Sequence, residues 1–317
     1  MQPYIHRPVM AVRVLEELAP DGQSQLLIDG TLGEGGHSAA FLQQYPDLNV
    51  VGLDTDWNIM ERAKARLASF GDRARVYNTW FDDFFGSYPL DTRPDRILLD
   101  LGISVFHYQE GGRGFSFRSD EPLDMRLRPD SERSARDVVM LSTEKELADI
   151  LFHFGEERYS RRIARAIVAR RAQKDVDTAA DLADIIFYSV PKPYRHGRIH
   201  PATRSFQALR IVVNDELGRL ERALEAAIGV LKQGGKIGVI TFHSLEDRIV
   251  KHFFRDAARS SIPDPQSVKG AREVQPFLQL VNKRPFVADE LEVKENPPSR
   301  SAKFRVAEKI ADIPRSV

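Results

Sequence analysis

The sequence predicts an α/β protein whose parallel, doubly wound sheet is interrupted by an inserted helical segment and then completed. Two observations carry that expectation. The first third alternates short, fully apolar runs with helical patterns, and strands buried on both faces require helices on both sides of a parallel sheet. From about residue 111 to 195 this rhythm gives way to charged, helical sequence without a convincing strand, and after residue 216 it resumes.

Taken in order, Leu26–Asp29 reads as a buried strand, Gly36–Gln44 as a helix, residues 50–54 as a strand and residues 57–70 as a helix. Residues 74–77 and Arg96–Asp100 continue the series as strands. In the insertion, turn signals stand at Gly111-Gly112 and Pro191-Lys-Pro193. Residues 216–231 then form a helix closed by Gly234-Gly235, residues 236–242 a strand and residues 246–258 another helix. Two further strands, 277–282 and 302–308, flank a proline-containing loop and are expected to close one sheet edge as an antiparallel pair. The expected division is a first sheet part at 1–108, an inserted helical substrate-recognition domain at 109–204 and a second sheet part at 205–317.

The 317 residues are 42% hydrophobic and 29% charged, enough apolar mass for a sizeable core. A formal net charge of +0 means that any argument for a nucleic-acid partner must rest on local clusters. The absence of cysteine excludes disulfides, thiolate metal sites and cysteine nucleophiles. The eight histidines are scattered without ligand spacing, so no metal site is expected. No apolar run approaches the length of a membrane span, and a cytoplasmic location follows as the expectation.

Asp29-Gly-Thr-Leu-Gly33-Glu-Gly-Gly36-His37 stands where the first strand should turn into the first helix. Glycines there let a ligand approach the backbone, and the helix offers unpaired amide donors. Asp54 ends the second strand, where a carboxylate accepts hydrogen bonds from ribose hydroxyls; Asp54 or Asp56 equally suits the cap of the next helix. Phe81 follows the third strand and Asp100 ends the fourth, so these residues converge on the carboxyl edge of one sheet, where open parallel sheets hold ligands. An adenosine-bearing cofactor fits. Asp29 disfavours a pyrophosphate and suits a sulfonium and an ammonium group, and no strict G-x-G-x-x-G is present.

Several segments resemble those of a known family. They are the glycine turn itself, Leu98-Leu-Asp-Leu-Gly-Ile-Ser104, Arg113-Gly-Phe-Ser-Phe117, Pro122-Leu-Asp-Met-Arg126, Phe154-Gly-Glu-Glu-Arg158, His200-Pro-Ala-Thr-Arg204, Phe206-Gln-Ala-Leu-Arg210, Phe242-His-Ser-Leu-Glu-Asp-Arg248 and Arg300-Ser-Ala-Lys303. In this order they resemble the bacterial rRNA N4-cytosine methyltransferases known as the RsmH or MraW family, over nearly the whole chain. The resemblance implies a class I, Rossmann-like methyltransferase sheet with an inserted helical domain. It further implies S-adenosylmethionine as cofactor and N4-methylation of a cytidine in the decoding region of 16S rRNA within the small ribosomal subunit. No membrane partner is expected, and a homodimer is compatible with the chain. The positions matching the family's cofactor contacts are Gly35, Gly36, His37, Asp54, Phe81 and Asp100, with Gly33 in the same turn. The chain departs from the family pattern at Ser104-Val-Phe-His107-Tyr-Gln109, where His107 stands in place of a glutamine, and at Pro298, where arginine is common.

Cytosine's amine is a poor nucleophile because its lone pair is delocalised, and a carboxylate accepting one of its protons would raise its electron density. Asp100 is the first catalytic candidate, with contact to the cofactor alone as the alternative. His243 follows the strand 236–242 and is the second, against a reading in which Ser244 caps the next helix and Glu246 supports its first turn. For substrate, Arg158, Arg161, Arg162 and Arg165 fall at i, i+3, i+4 and i+7, Arg170, Arg171 and Lys174 extend the charge, and no acid intervenes, an electrostatic footprint for phosphates unless the face is merely solvated. Arg113 and Phe115, with Phe117 and Arg118, interleave cations and aromatics in a glycine-hinged loop suited to an unstacked base or to packing on the insertion; Arg204 completes the substrate set. Three rivals remain. A DNA amine methyltransferase is opposed by Asp100-Leu-Gly102 in place of a Pro-Pro-aromatic word, and a nicotinamide dehydrogenase by Asp29. A catalytically altered RNA-binding or ribosome-assembly factor has the segment 105–109 in its favour.

Overall fold

Runs that are apolar on both faces become the inner strands of the computed structural model, which describes residues 7–22, 25–109, 111–117, 120–263 and 270–313. The strands are β1 (Leu26–Asp29), β2 (Asn49–Asp54), β3 (Ala74–Asn78), β4 (Arg96–Asp100), β5 (Lys236–Thr241), β6 (Ser261–Pro263), β7 (Ala271–Glu273), β8 (Leu278–Leu280), β9 (Phe286–Val287) and β10 (Lys303–Lys309). The main sheet runs β3-β2-β1-β4-β5-β10-β8, with β9 also on β10, while β6 and β7 pair separately. Strands β1 to β5 are parallel, and β10 inserts antiparallel between β5 and β8, as the tail pattern predicts. The order reverses direction between β1 and β4, which is the switch point where such sheets bind ligands.

Parity divides the core. Leu26, Ile28, Val51, Leu53, Ile97 and Leu99 pack with residues of helices Glu216–Val230 and Ser244–Ala257. Their sequence neighbours Leu27, Val50 and Leu98 pack on the other face with Val14, Phe41 and Leu67 from helices Ala11–Glu17, Gly36–Gln44 and Trp57–Leu67. Each such side chain contributes about 1.5–3 kcal/mol on burial, so both layers are needed to hold the strands.

Two helix boundaries depart from the sequence reading. The helix from Trp57 ends at Leu67 and continues as a 3-10 turn in which Gly71 adopts φ 57°, a left-handed conformation that stops an α-helix. Helix Ser244–Ala257 starts two residues early because His243 provides its cap. Helices Ala11–Glu17 and Phe81–Ser87 are additions.

The chain separates into two compact units, Ser104–Glu216 and the sheet unit, which runs up to Ile103 and resumes at Leu217. Within the first, helices Ala135–Leu141 and Glu144–His153 both begin with capping boxes, Ser134 with Asp137 and Thr143 with Glu146. Helix Ala202–Asn214, through which the expected boundary between residues 204 and 205 runs, lies in this unit. The buried Asn214 accepts from Leu127 N at 2.8 Å and donates to Met125 O at 2.8 Å, tying the helix end to the loop 122–128. Among the described residues this unit has one isolated β-bridge, Pro122 with Thr178, and no strand. No described helix of the chain is long and apolar enough to cross a membrane.

Candidate active site

The turn after β1 is held from below by a buried carboxylate. Asp29 accepts from Ser38 Oγ at 2.7 Å and Thr31 N at 3.3 Å, and burial pushes its acid up from the usual range. Both oxygens are thus engaged in shaping the loop. Gly33 and Gly35 take φ 53° and 75° there, conformations a side chain resists, and Gly35 leads into the helix that carries Gly36 and His37.

Asp54 closes β2 and binds the same turn. Its carboxylate accepts Gly33 N at 2.9 Å and Asp56 N at 2.8 Å, while Asp56 caps the following helix through Asn58 N at 3.0 Å. The capping role that the sequence left open between the two acids falls to Asp56. Burial pushes the Asp54 carboxyl up to about 7, with the two amide donors opposing the rise. Beyond β3, Trp80 precedes helix Phe81–Ser87, whose Phe81 Cβ lies 3.5 Å from where a side chain on Gly30 would begin. Arg219 covers the Trp80 ring at 4.1 Å and binds Asp82 at 2.6 Å, fixing this corner.

Asp100 ends β4, with its amide donating to Thr31 Oγ1 at 2.6 Å and its register opposite Ile240 of β5. His37 Nε2 stands 3.4 Å from Asp100 Oδ2, without hydrogen-bond geometry. After β5, His243 caps its helix in a box with Glu246, whose Oε2 accepts from Phe242 N at 2.8 Å. The cap is thus the histidine and not Ser244. His243 Nε2 lies 3.1 Å from Glu246 Oε1 yet lacks the angle of a hydrogen bond.

One pattern unites these positions. Among the described residues of the sheet unit, buried side-chain atoms without a hydrogen-bond partner include both His37 nitrogens, Thr55 Oγ1, Asp100 Oδ1 and His243 Nε2. These five follow or end β1, β2, β4 or β5 at the carboxyl edge, while Arg219 Nε and Ser299 Oγ, also without a partner, lie in helix Glu216–Val230 and the turn Pro297–Ser301. Leaving such atoms dry costs about 1–3 kcal/mol each, so a cluster of them marks a place built for a polar ligand. Sequence reasoning missed Thr55, Ser38 and Thr31. Thr55 adjoins Asp54, and a hydroxyl next to a strand-end acid was the available signal.

The remaining candidates lie in the helical unit. His107 sits in helix Val105–Gln109, is buried and meets Phe115 edge-on at 5.4 Å. Phe115 is itself buried, and Arg113 donates to the carbonyls of Arg126 and Leu127, both at 2.9 Å, so these residues pack as a loop. Arg118 and the side chain of Gln109 lie outside the described residues. Arg158 precedes helix Ser160–Arg171 and stacks on Tyr159 and Tyr194 at 4.9 and 4.8 Å, which removes it from the proposed helical face. Arg161 and Arg162 are exposed, Arg165 meets Glu144 of the neighbouring helix at 3.5 Å, and Arg171 donates to the carbonyls of Val139 and Ser142. Glu144 thus supplies an acid to Arg165 alone, while Arg161 and Arg162 stay on the exposed face. Arg204 donates to Glu156 O at 3.1 Å.

Comparison with known proteins matches residues 3–310 to a family model described as the MraW methylase family. A ribosomal RNA small subunit methyltransferase H from Treponema denticola is 54% identical over 98% of each chain. One of the same description from Heliobacterium modesticaldum is 44% identical over 96% of this chain and 98% of its own. Among solved structures, an rRNA methylase from Streptococcus thermophilus aligns with a TM-score of 0.41 at 9% identity, over 95% of this chain and 94% of its own.

Proposed function

The chain belongs to the MraW methylase family, and from that premise we propose that it transfers a methyl group from S-adenosylmethionine to N4 of a cytidine in the decoding region of 16S ribosomal RNA, acting in the cytoplasm on the small subunit. The observation that carries this reading is the set of unpartnered buried polar atoms gathered at the carboxyl edge of β1 to β5. The residues present fit the cofactor. Asp54 has lone pairs beyond those its two amide donors occupy, which suits ribose hydroxyls. Thr55 and His37 offer further polar atoms, and Phe81, partly buried against the core, brings its Cβ within 3.5 Å of the Cβ position of Gly30 in the glycine turn.

Bound there, S-adenosylmethionine supplies an electrophilic methyl group on a sulfonium. Asp100 Oδ1, buried and unpartnered, accepts a hydrogen bond from the cytosine amine and draws density onto N4. With the methyl group supplied by the bound cofactor, this carboxylate would take up the proton that N4 loses. His37 stands beside Asp100 and His243 beyond the next strand, each placed to orient the amine.

The test is methyl transfer from labelled S-adenosylmethionine to small subunits lacking the modification, with nucleosides read by mass spectrometry. Wild type is expected to yield N4-methylcytidine, and Asp100→Asn to lose about 10²–10³ in rate while adenosine affinity changes less than fivefold. Absence of transfer by a wild type that binds the cofactor would instead favour an RNA-binding factor that retains the fold.

A further inference from the structure

Residues 185–214 contain no aspartate or glutamate, yet they hold Lys192, Arg195, Arg198, Arg204 and Arg210. In a chain of net charge +0 such a run concentrates positive potential in one place. Arg210 is neutralised by Glu216 at 2.7 Å. The other four meet no carboxylate among the described residues. Arg195 donates to the carbonyls of Val190 and Tyr188, Arg204 to that of Glu156, and Lys192 and Arg198 are exposed.

The same segment is aromatic. His200 lies parallel to Phe117 at 4.5 Å and to Phe187 at 5.9 Å, a stack that braces the loop. Arg195 extends it, its guanidinium 5.5 Å from the Phe187 ring and 5.6 Å from that of Tyr188. Tyr188 is 67% exposed. A large ring left in water with a cation over it is the arrangement on which an unpaired base stacks, and cations spaced along the adjoining segment follow a phosphate backbone. Tyr194 secures the other end. Its hydroxyl donates at 2.6 Å to the buried Glu157, and burial together with that partner pushes the phenol up to about 12, so it remains a donor.

We propose that Tyr188 and the acid-free segment carrying Lys192, Arg195, Arg198 and Arg204 form a docking surface for single-stranded RNA, a grip on the substrate distinct from the arginines of helix Ser160–Arg171. The inference rests on the reading of this chain as an RNA methyltransferase and specifies where that RNA is held. Lys192 and Arg198 supply charge without holding the fold, which makes them the informative positions.

The experiment is fluorescence anisotropy of a fluorescein-labelled single-stranded oligoribonucleotide, titrated from 0.05 to 0.5 M salt. With a salt slope of about 0.7 per phosphate on single strands, the double variant Lys192→Gln/Arg198→Gln should lower the slope by about 1.4 and the affinity at 0.1 M by about 25-fold. Tyr188→Leu should weaken single-strand binding about tenfold and leave binding to a duplex of the same sequence unchanged. Adenosine affinity and thermal melting, read on the same samples, should stay at wild-type values. A wild type that does not bind the strand, or a double variant within twofold of wild type at 0.1 M, overturns the surface. Equal losses on duplex and single strand with Tyr188→Leu overturn the stacking role. Methyl transfer to small subunits is scored separately: its failure with the anisotropy losses intact removes the proposed reaction and keeps the surface, and the converse removes the surface alone.

Discussion

In the cofactor-free protein near neutral pH, about half of the Asp54 carboxyl groups hold a proton, because burial pushes this acid to about 7. A rise of roughly three units from its ordinary value corresponds to about 4 kcal/mol before solvent screening. The ribose hydroxyls assigned to Asp54 need an ionised acceptor, so binding must displace that proton. For one group titrating at about 7, affinity should fall about tenfold between pH 8 and pH 6. Asp54→Asn removes the titration and two charge-assisted hydrogen bonds worth about 1.5 kcal/mol each, which is roughly a hundredfold in affinity. Equilibrium dialysis or calorimetry with adenosine measures both, since adenosine itself does not titrate in this range. Linkage fixes the accompanying stability change. The native state keeps its proton to higher pH than the unfolded chain, so this group's contribution is largest below its ordinary value and declines as pH rises toward 7. An adenosine affinity that is flat from pH 6 to 8 in wild type, or a slope that survives in Asp54→Asn, would refute the assignment.

Other perturbations test the scaffold. Asn214→Ala should cost about 2–4 kcal/mol in urea unfolding, because it strands Leu127 N and Met125 O inside the helical unit. Asp247 is partly desolvated, which alone would raise its acid, but Arg305 at 2.8 Å and Lys303 at 2.9 Å hold it below the usual range. Its stabilising effect is therefore present above about pH 4 and lost as pH falls through the depressed native value; Asp247→Asn should cost about 3 kcal/mol at pH 7 and progressively less in acid melts.

The order of strands and helices was legible because inner strands of a parallel sheet are apolar on both faces, and Leu26–Asp29 and Arg96–Asp100 advertise this directly. The glycine turn was legible as a turn because Gly33 and Gly35 permit the positive φ they adopt there, and Asp54 as a strand-end acid because it closes an apolar run. Pairing between separate elements was not legible. Arg165 of the arginine stripe looked unpaired because Glu144 sits on a different helix, and Arg158 looked helical because nothing local announces its stacking on Tyr194, thirty-six residues away in sequence. His243 escaped as a cap because histidine is an unusual capping residue. The acid-free run at 185–214 could have been found by counting, but only its contact with exposed aromatics gives it a meaning.

The two ends of the sheet differ in how completely their polar groups are paired. At the amino ends, Asp95 accepts from Leu26 N at 3.0 Å and Lys232 Nζ at 2.9 Å, and the buried Arg96 donates to Ala19 O and Asp95 O. That edge is finished without help. At the carboxyl ends, Thr55 Oγ1 is among the buried atoms with no partner, and the sheet bears a cost there that pure stability would not keep. Thr55→Val, nearly equal in shape, should therefore act in opposite directions on folding and binding. It should stabilise the free protein by up to about 1 kcal/mol, since the unpaired hydroxyl is removed, and weaken adenosine or S-adenosylmethionine binding by about 0.5–1.5 kcal/mol, since a hydrogen bond made only on binding is lost. Urea unfolding and calorimetry on the same preparation give both numbers. If the valine variant is less stable than wild type, Thr55 serves the fold. If its ligand affinity is unchanged, the hydroxyl does not face the cofactor, and the incomplete carboxyl edge must be explained by His37, Asp100 and His243 without it.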